Sequence, residues 1–219
     1  EKIEKVEHEQ GRALKKKEKA ALKEELLHTL LPRAFSRTNQ TLAWLNPAEN
    51  LLVVDSSSAK RADDLLALLR KSIGSLPVVP VALKNPPEIT MTEWLNEGNL
   101  PASFTLEDEA ELRSAMEHGG IIRCKQQDLM SEEIKNHLAN DKLVTKLALN
   151  WGETLSFVLG DDLSIKRLKF SEELREQNDD VTSEDPAARL DADFALVTAE
   201  LSQFIPALFA ALGGEEQSI

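Results

Sequence analysis

The sequence predicts an α+β protein: a long N-terminal helix, antiparallel sheets, and helices packed on them. Three observations predict it. Residues 1–31 are dense in Glu, Lys, Ala and Leu with apolar residues at helical spacing. Short alternating runs at 41–55 and 143–170, separated by turn residues, read as a hairpin and an antiparallel meander. The regular strand–helix alternation of a doubly wound sheet does not occur. At 219 residues and 42% hydrophobic content the chain can bury a core as one large domain or two small ones.

Residues 1–31 contain no proline and one glycine, Gly11, and read as one continuous helix. Its apolar stripe is thin at Ile3 and Val6 and widens towards Leu26, Leu27, Leu30 and Leu31. Pro32 disfavours helix at the residue before it, so 32–37 becomes a short exposed linker carrying Arg33, Phe35 and Arg37. Strands are expected at 41–45 and 51–55, turning through Asn46 to Asn50. Ser56 to Ser58 offer N-caps for a helix over 59–72 with Leu65, Leu66, Leu68 and Leu69 on its buried face. The run 76–83 is apolar and β-branched, but Pro77 and Pro80 demote it to an edge strand. Helices are expected at 92–97 and at 108–117, the second closed by Gly119-Gly120.

A strand then covers 121–126 and a helix 131–139, followed by strands at 143–151, 154–159 and 163–170, the last two joined through Gly160-Asp161-Asp162. Residues 176–185 are an acidic loop. The apolar segment 187–212 reads as mainly helical, with a strand conceivable at its start and Pro206 as a kink; beyond it the tail should fray. These elements group into segments 1–37, 38–118 and 119–219.

Charge is the more informative property. The net charge of −12 argues on its face against nucleic acid and anionic membrane as partners, yet it is unevenly spread. Residues 1–37 carry ten Lys or Arg against seven Glu, leaving residues 38–219 at a net −15. Within 12–23 the cations Arg12, Lys15, Lys16, Lys17, Lys19 and Lys23 face one acid, Glu18. On a helix Arg12, Lys15, Lys16, Lys19 and Lys23 follow an i, i+3, i+4, i+7 path, a ridge able to track a phosphate backbone; a solvated helix face is the plainer explanation. Arg123 and Lys125 share one face of a strand and form a second phosphate site. Lys166 and Arg167, one apart on a strand, should point to opposite faces. Residues 171–219 have a net charge of −10, a surface nucleic acid would avoid.

Catalytic motifs are not evident. There is no Gly-rich phosphate loop, His-Glu-x-x-His, cysteine pair or Gly-x-Ser-x-Gly. His8, His28, His118 and His137 are scattered, so no metal or cofactor is expected. Asp161 and Asp162 read as turn formers rather than a catalytic pair. Cys124 lies between two cations that could lower its thiol pKa, but reads better as a buried strand residue. A lone cysteine suits a reducing compartment, the cytoplasm, and no apolar run approaches a membrane span.

Several strings taken together are specific: Leu-Leu-Pro-Arg-Ala-Phe-Ser-Arg at 30–37, the stretches 55–60 and 68–80, Leu-Glu-Asp-Glu-Ala-Glu-Leu at 106–112, Gly-Gly-Ile-Ile-Arg-Cys-Lys-Gln-Gln-Asp-Leu at 119–129, Ser-Glu-Glu-Ile from 131, Lys-Arg-Leu-Lys-Phe at 166–170, and the Leu-Gly-Gly-Glu that ends at 215. In this order they resemble the RdgC family of bacterial recombination-associated proteins. The resemblance implies a non-enzymatic, nucleoid-associated protein that binds double-stranded DNA without sequence preference, with single-stranded DNA a further candidate. It implies a ring-shaped homodimer around the duplex that restrains the RecA recombinase, acids outward and the basic ridge towards the hole. It places Arg12 near DNA, Arg33 and Phe35 at a dimer contact, and Lys125 and Gln126 near a second one, where Gln126 replaces a basic residue of relatives. It also implies a further N-terminal segment, roughly eighty residues long, that completes the sheet. The competing expectation is an assembly protein that self-associates through the N-terminal helix and Phe35 without touching DNA. A hydrolase using Asp161, Asp162 or His137 has no constellation to recommend it.

Overall fold

The structure, a computed structural model, describes residues 1–56, 58–116, 119–177 and 185–216. Ser57 as a cap, His118, most of the acidic loop and the expected frayed tail lie outside the described residues. The chain falls into two compact units, residues 1–40 and 41–219.

The first unit corrects the expectation of one long helix. It holds α1 (Lys2–Gln10) and α2 (Lys16–Leu30), followed by a short 3-10 turn at Leu31–Arg33. Gly11 ends α1 in the left-handed conformation, φ 65°, which a residue with a Cβ adopts at a cost. Two acids that score as helix formers then act as fasteners. Glu7 accepts from Leu14 N–H at 2.8 Å, and Glu18 accepts from Lys15 N–H at 2.7 Å, supplying the first turn of α2 with a partner for an otherwise orphaned donor.

The second unit opens with an antiparallel hairpin, β1 (Leu42–Asn46) and β2 (Leu51–Asp55), in which Leu42 pairs with Asp55 and Asn46 with Leu51. The Asn46 side chain accepts from Ala48 N–H at 3.2 Å and closes the turn. Helix α3 (Ala59–Ile73) follows as expected, but Leu65, Leu66 and Leu69 are only half-buried and Leu68 is exposed. The strand expected over 76–83 does not form. With Pro77 and Pro80 lacking N–H donors, ladder pairing there shrinks to a single bridge of Leu83 with Glu215. Helix α4 (Pro87–Glu97) starts five residues before the expected boundary, Pro87 serving at its first turn, where a missing N–H costs nothing.

Residues 108–117 give the largest correction. Residues 108–114 belong not to a helix but to β3 (Phe104–Ser114), which pairs antiparallel with β4 (Ile121–Lys125) on one side and β5 (Lys142–Trp151) on the other, and Glu117 lies outside the described residues. The boundary expected at 118/119 therefore falls inside a hairpin, and the two segments it would separate share one sheet. With α5 (Glu132–Leu138), β6 (Leu155–Gly160) and β7 (Ile165–Phe170), the sheet has order β4-β3-β5-β6-β7, antiparallel throughout, and contains the expected meander. Short α6 (Glu172–Glu176) and long α7 (Pro186–Ala211) complete the unit. The latter is helical from its first residue, with no strand at its start.

One face of the sheet is covered. Met91, Trp94 and Leu95 of α4, Ile134 of α5, and Phe204, Leu208 and Leu212 at the end of α7 pack on Leu112, Leu147, Leu149, Leu155, Phe157 and Leu159. Phe204 stands edge-on to Phe157, centroids 4.8 Å apart, and tilted to Trp151 at 5.5 Å. Where the β3–β5 register shifts, Val144 N–H donates instead to Thr92 Oγ1 at 2.9 Å, tying α4 to the sheet. By length and hydropathy α7 would suffice to cross a membrane, contrary to the expectation that no segment approaches that length; here its C-terminal third supplies core, while Leu190 and Phe194 in its first half are exposed.

The aromatic contact yields the first prediction. Phe204→Ala should lower unfolding free energy by about 3–5 kcal/mol, the usual cost of emptying a buried aromatic site, whereas the exposed Phe194→Ala should cost a few tenths. Urea denaturation of both variants checks the contrast, and equal losses would contradict this account of the core.

Candidate nucleic-acid interface

In the first unit the break at Gly11 alters the cationic ridge. Arg12 lies in the connection and Lys15 caps α2, so only Lys16, Lys19 and Lys23 keep helical spacing. Two of the five ridge cations are engaged internally. Arg12 grips Glu18 with both terminal nitrogens, at 2.6 and 2.9 Å, and with the Lys15 N–H it holds that carboxyl down at about 2. Lys19 lies 3.0 Å from Glu7. Among the described residues Lys15, Lys16, Lys17, Lys23, Arg33 and Arg37 have no ion-pair partner. Phe35 is completely exposed, and Leu27, Leu30 and Leu31 are more than half exposed.

The second unit holds a site whose chemistry the sequence hides. On β3, Phe104, Leu106, Ala110 and Leu112 turn towards the helices, so Glu107, Glu109, Glu111 and Arg113 turn to the uncovered face. Glu111 is 7% exposed and accepts from Arg123 Nε at 2.8 Å and Lys146 Nζ at 2.9 Å, with Arg113 at 3.9 Å and the Thr145 hydroxyl at 3.4 Å. The Arg123 guanidinium, helped by the Lys146 ammonium, outweighs burial and holds the Glu111 carboxyl at about 2. Two residues along, Glu109 takes both terminal nitrogens of Arg167, each at 2.9 Å, and has Lys125 at 4.0 Å; Arg167 is the main cause of its lowered pKa. Glu107 moves the other way, raised first by desolvation and then by Asp108.

Arg167 reaches Glu109 across two intervening strands, β6 and β5, whose outward residues Val158 and Ala148 pair with each other and are nearly buried. Strict alternation, which would set Arg167 opposite to Lys166, does not hold. A bulge shifts the register between Ser156 and Val158, and Arg167 takes φ 53°, turning its side chain to the same face.

The sequence-expected pair Arg123 and Lys125 thus shares a face, as read, but each has a carboxylate partner while remaining about two-thirds exposed. Gln126 follows in a left-handed conformation, φ 52°. The sequence missed Lys146 and the acids Glu109 and Glu111 that gather the cations, and it set Arg167 aside by expecting strict alternation. The alternation of apolar and polar residues over 104–107 and 109–113, interrupted at Asp108, was a signal for the two acids, outweighed by the helical propensity of Glu-Asp-Glu-Ala-Glu. Cys124 lies on the helix-facing side, and burial, then Glu133, pushes its thiol up, in line with a packing role. Asp162 accepts from the Ser164 hydroxyl and N–H and serves the turn.

A cation-rich helical hairpin and a half-covered antiparallel sheet with a charged outer face define the class of this molecule. Comparison with known proteins gives the lineage. The family model described as "Putative exonuclease, RdgC" matches residues 1–215. The chain is 92% identical over its whole length to the recombination-associated protein RdgC of Aeromonas hydrophila subsp. hydrophila, of which it spans 72%. It is 74% identical to that of Tolumonas auensis and 61% to that of Psychromonas ingrahamii, over 99% of this chain and 72% of each relative. The chain belongs to the RdgC family of bacterial recombination-associated proteins.

Glu111 yields a pH prediction. Its carboxyl is lower in the folded than in the unfolded chain, so it adds stability that is complete above the ordinary carboxylate range near 4.5 and is lost as pH falls through about 2. Exposed partners screen the pair, which leaves on the order of 1 kcal/mol. Glu111→Gln should therefore be less stable at pH 7 and lose less on acidification; parallel stability curves for variant and parent between pH 7 and 2 would contradict the assignment.

Proposed function

We propose that this chain is a non-enzymatic, double-stranded DNA-binding protein that reads no base sequence, forms a ring-shaped homodimer around the duplex, and modulates RecA-dependent recombination on the bacterial nucleoid, in the cytoplasm. The observation that carries the reading is the first unit: in a chain of net charge −12, Lys15, Lys16, Lys17 and Lys23 are concentrated on α2 and its cap with no ion-pair partner among the described residues. Cations left unpaired beside acids elsewhere in surplus are what phosphate contact requires. Arg33 and Arg37 extend the set into the linker, and Arg12 joins it by exchanging Glu18 for phosphate. The names of the relatives point to recombination as the setting. Single-stranded DNA offers the same phosphates and is a second substrate of the same surface.

The exonuclease in the family description calls for carboxylates or histidines converging on a metal. No group of three or more His, Cys, Asp or Glu residues able to hold one occurs among the described residues, so that reading has no centre to build on there. Self-association has its own observation. A fully exposed Phe35 beside exposed Leu30 and Leu31 forms an apolar edge, which supports Arg33 and Phe35 at one dimer contact; Lys125 and Gln126 are proposed near the other.

Two predictions follow from this division of labour. Lys15→Ala/Lys16→Ala/Lys19→Ala should weaken duplex binding evenly across unrelated sequences and flatten the log–log salt dependence by about 2 to 3, measured by anisotropy on linear and covalently closed duplexes; unchanged affinity would remove the ridge from the mechanism. Phe35→Ala should shift the dimer–monomer equilibrium towards monomer in sedimentation and shorten retention on closed circles after a salt challenge. A fully dimeric variant with normal retention would leave Phe35 without this role.

A further inference from the structure

We infer that the uncovered face of the five-stranded sheet is a second phosphate-backbone surface, with Lys146 and Arg167 as contacts beside Arg123 and Lys125, and Glu109 as the carboxylate that phosphate displaces. The inference rests on the DNA-binding reading and assigns it residues on a different unit. Its first support is the local balance of charge. Arg113, Arg123, Lys125, Lys146 and Arg167 share the face with three carboxylates, Glu107, Glu109 and Glu111, a surplus of two positive charges in a chain of net −12. A lattice serving stability alone needs no such surplus, which repels itself.

The second support is geometry. Glu111, nearly buried, anchors the heads of Arg123 and Lys146 to the sheet surface while the rest of Arg123 stays in solvent. Glu109 is four times as exposed as Glu111 and holds Arg167 by a bidentate grip that an incoming phosphate can match. The two gathering points are i and i+2 on one strand, roughly 7 Å apart in line. That offers two neighbouring anion positions of the kind that consecutive backbone phosphates occupy. The third support is what the face lacks. A five-stranded sheet face presents neither a helix nor a two-stranded ribbon to a major groove, so its cations meet phosphates and not base edges, which matches binding without sequence preference.

The test measures anisotropy of short duplexes of unrelated sequence with the full chain across a salt range. Lys146→Gln/Arg167→Gln should weaken binding on every sequence and reduce the log–log slope by about 1 to 2. Glu109→Gln should tighten it by roughly two- to fivefold, the equivalent of one exposed ion pair released. Arg70→Gln/Lys71→Gln on α3 removes the same charge elsewhere and should leave the slope unchanged, and thermal melts confirm that each variant folds. Opposite signs for Glu109 and for the Lys146/Arg167 pair are the signature, since damage to the fold would weaken both. An unchanged slope in Lys146→Gln/Arg167→Gln, while the Lys15/Lys16/Lys19 variant loses binding, overturns the sheet surface and leaves the DNA reading intact. Equal loss in the α3 control reduces the effect to net charge and overturns it too. Competition by polyglutamate as effective as by duplex of equal charge assigns the face to an acidic protein instead, and absence of duplex binding by the parent chain at low salt overturns both readings.

Discussion

A five-stranded sheet has two faces, and the second unit turns its apolar one towards α4, α5 and the end of α7. Phe204, Phe157 and Trp151 are the centre of that contact, and the even-numbered residues Phe104, Leu106, Ala110 and Leu112 must turn towards it. On β3 the residues of the other face follow by alternation from Ala110 onwards, while Arg167 reaches that face through a bulge. Once Ala110 and Leu112 are committed to the core, Glu109, Glu111 and Arg113 have nowhere to go but outward, and an outward glutamate that is 7% exposed demands cations. The lattice of Arg123, Lys125, Lys146 and Arg167 is thus the electrostatic consequence of a packing decision made on the opposite side of the sheet.

The same physics acts differently in the first unit. Its helices bury almost nothing, Leu14 being its one buried apolar side chain. The junction is held by polar fasteners, Glu7 to Leu14 N–H and Lys19, Glu18 to Arg12 and Lys15 N–H. Fasteners of this kind are worth little each when solvent reaches them. Part of the cationic ridge is therefore structural in the free chain, and Lys16, Lys17 and Lys23 are the part that costs nothing to redirect towards a partner.

Strand and helix positions were legible wherever local pattern and global packing agree. The meander β5 to β7 and helix α5 are such cases, because alternation or helical spacing coincides there with burial; β1, β2 and α3 follow their local pattern although α3 buries no residue. Besides the proline-bearing run 76–83, which forms no strand, two elements failed for opposite reasons. Gly11 is one residue in a strongly helical run, and nothing local reveals that Glu7 and Glu18 hold the break shut. In β3 the sequence Glu-Asp-Glu-Ala-Glu carries helix propensity, yet ladders on both sides, to β4 and β5, override it. The site was legible where its residues are neighbours in sequence, as Arg123 and Lys125 are. Lys146 and Arg167 lie 23 and 44 residues from Arg123, and only the order β4-β3-β5-β6-β7 with the bulge at Arg167 brings them to Glu111 and Glu109.

Segregation of charge resolves how so acidic a chain could serve a polyanion. Average charge sets long-range repulsion, which salt screens beyond about 8 to 10 Å, whereas phosphate contacts form at a few ångströms and depend on the local set. Under the proposed function a duplex is repelled by most of this chain's surface and admitted where cations outnumber acids, at α2 and on the sheet's outer face. Under the proposed function that is an advantage: acids elsewhere discourage unproductive adhesion to the outside of the protein, so affinity is concentrated where the backbone can be followed. Carboxylates within the cationic patches add a second control. By occupying Arg12, Lys19 and Arg167 in the free state they make phosphate an exchange partner rather than a new one, which lowers the net gain per contact. Weak, replaceable contacts of this sort suit a protein that must hold a duplex without fixing its register.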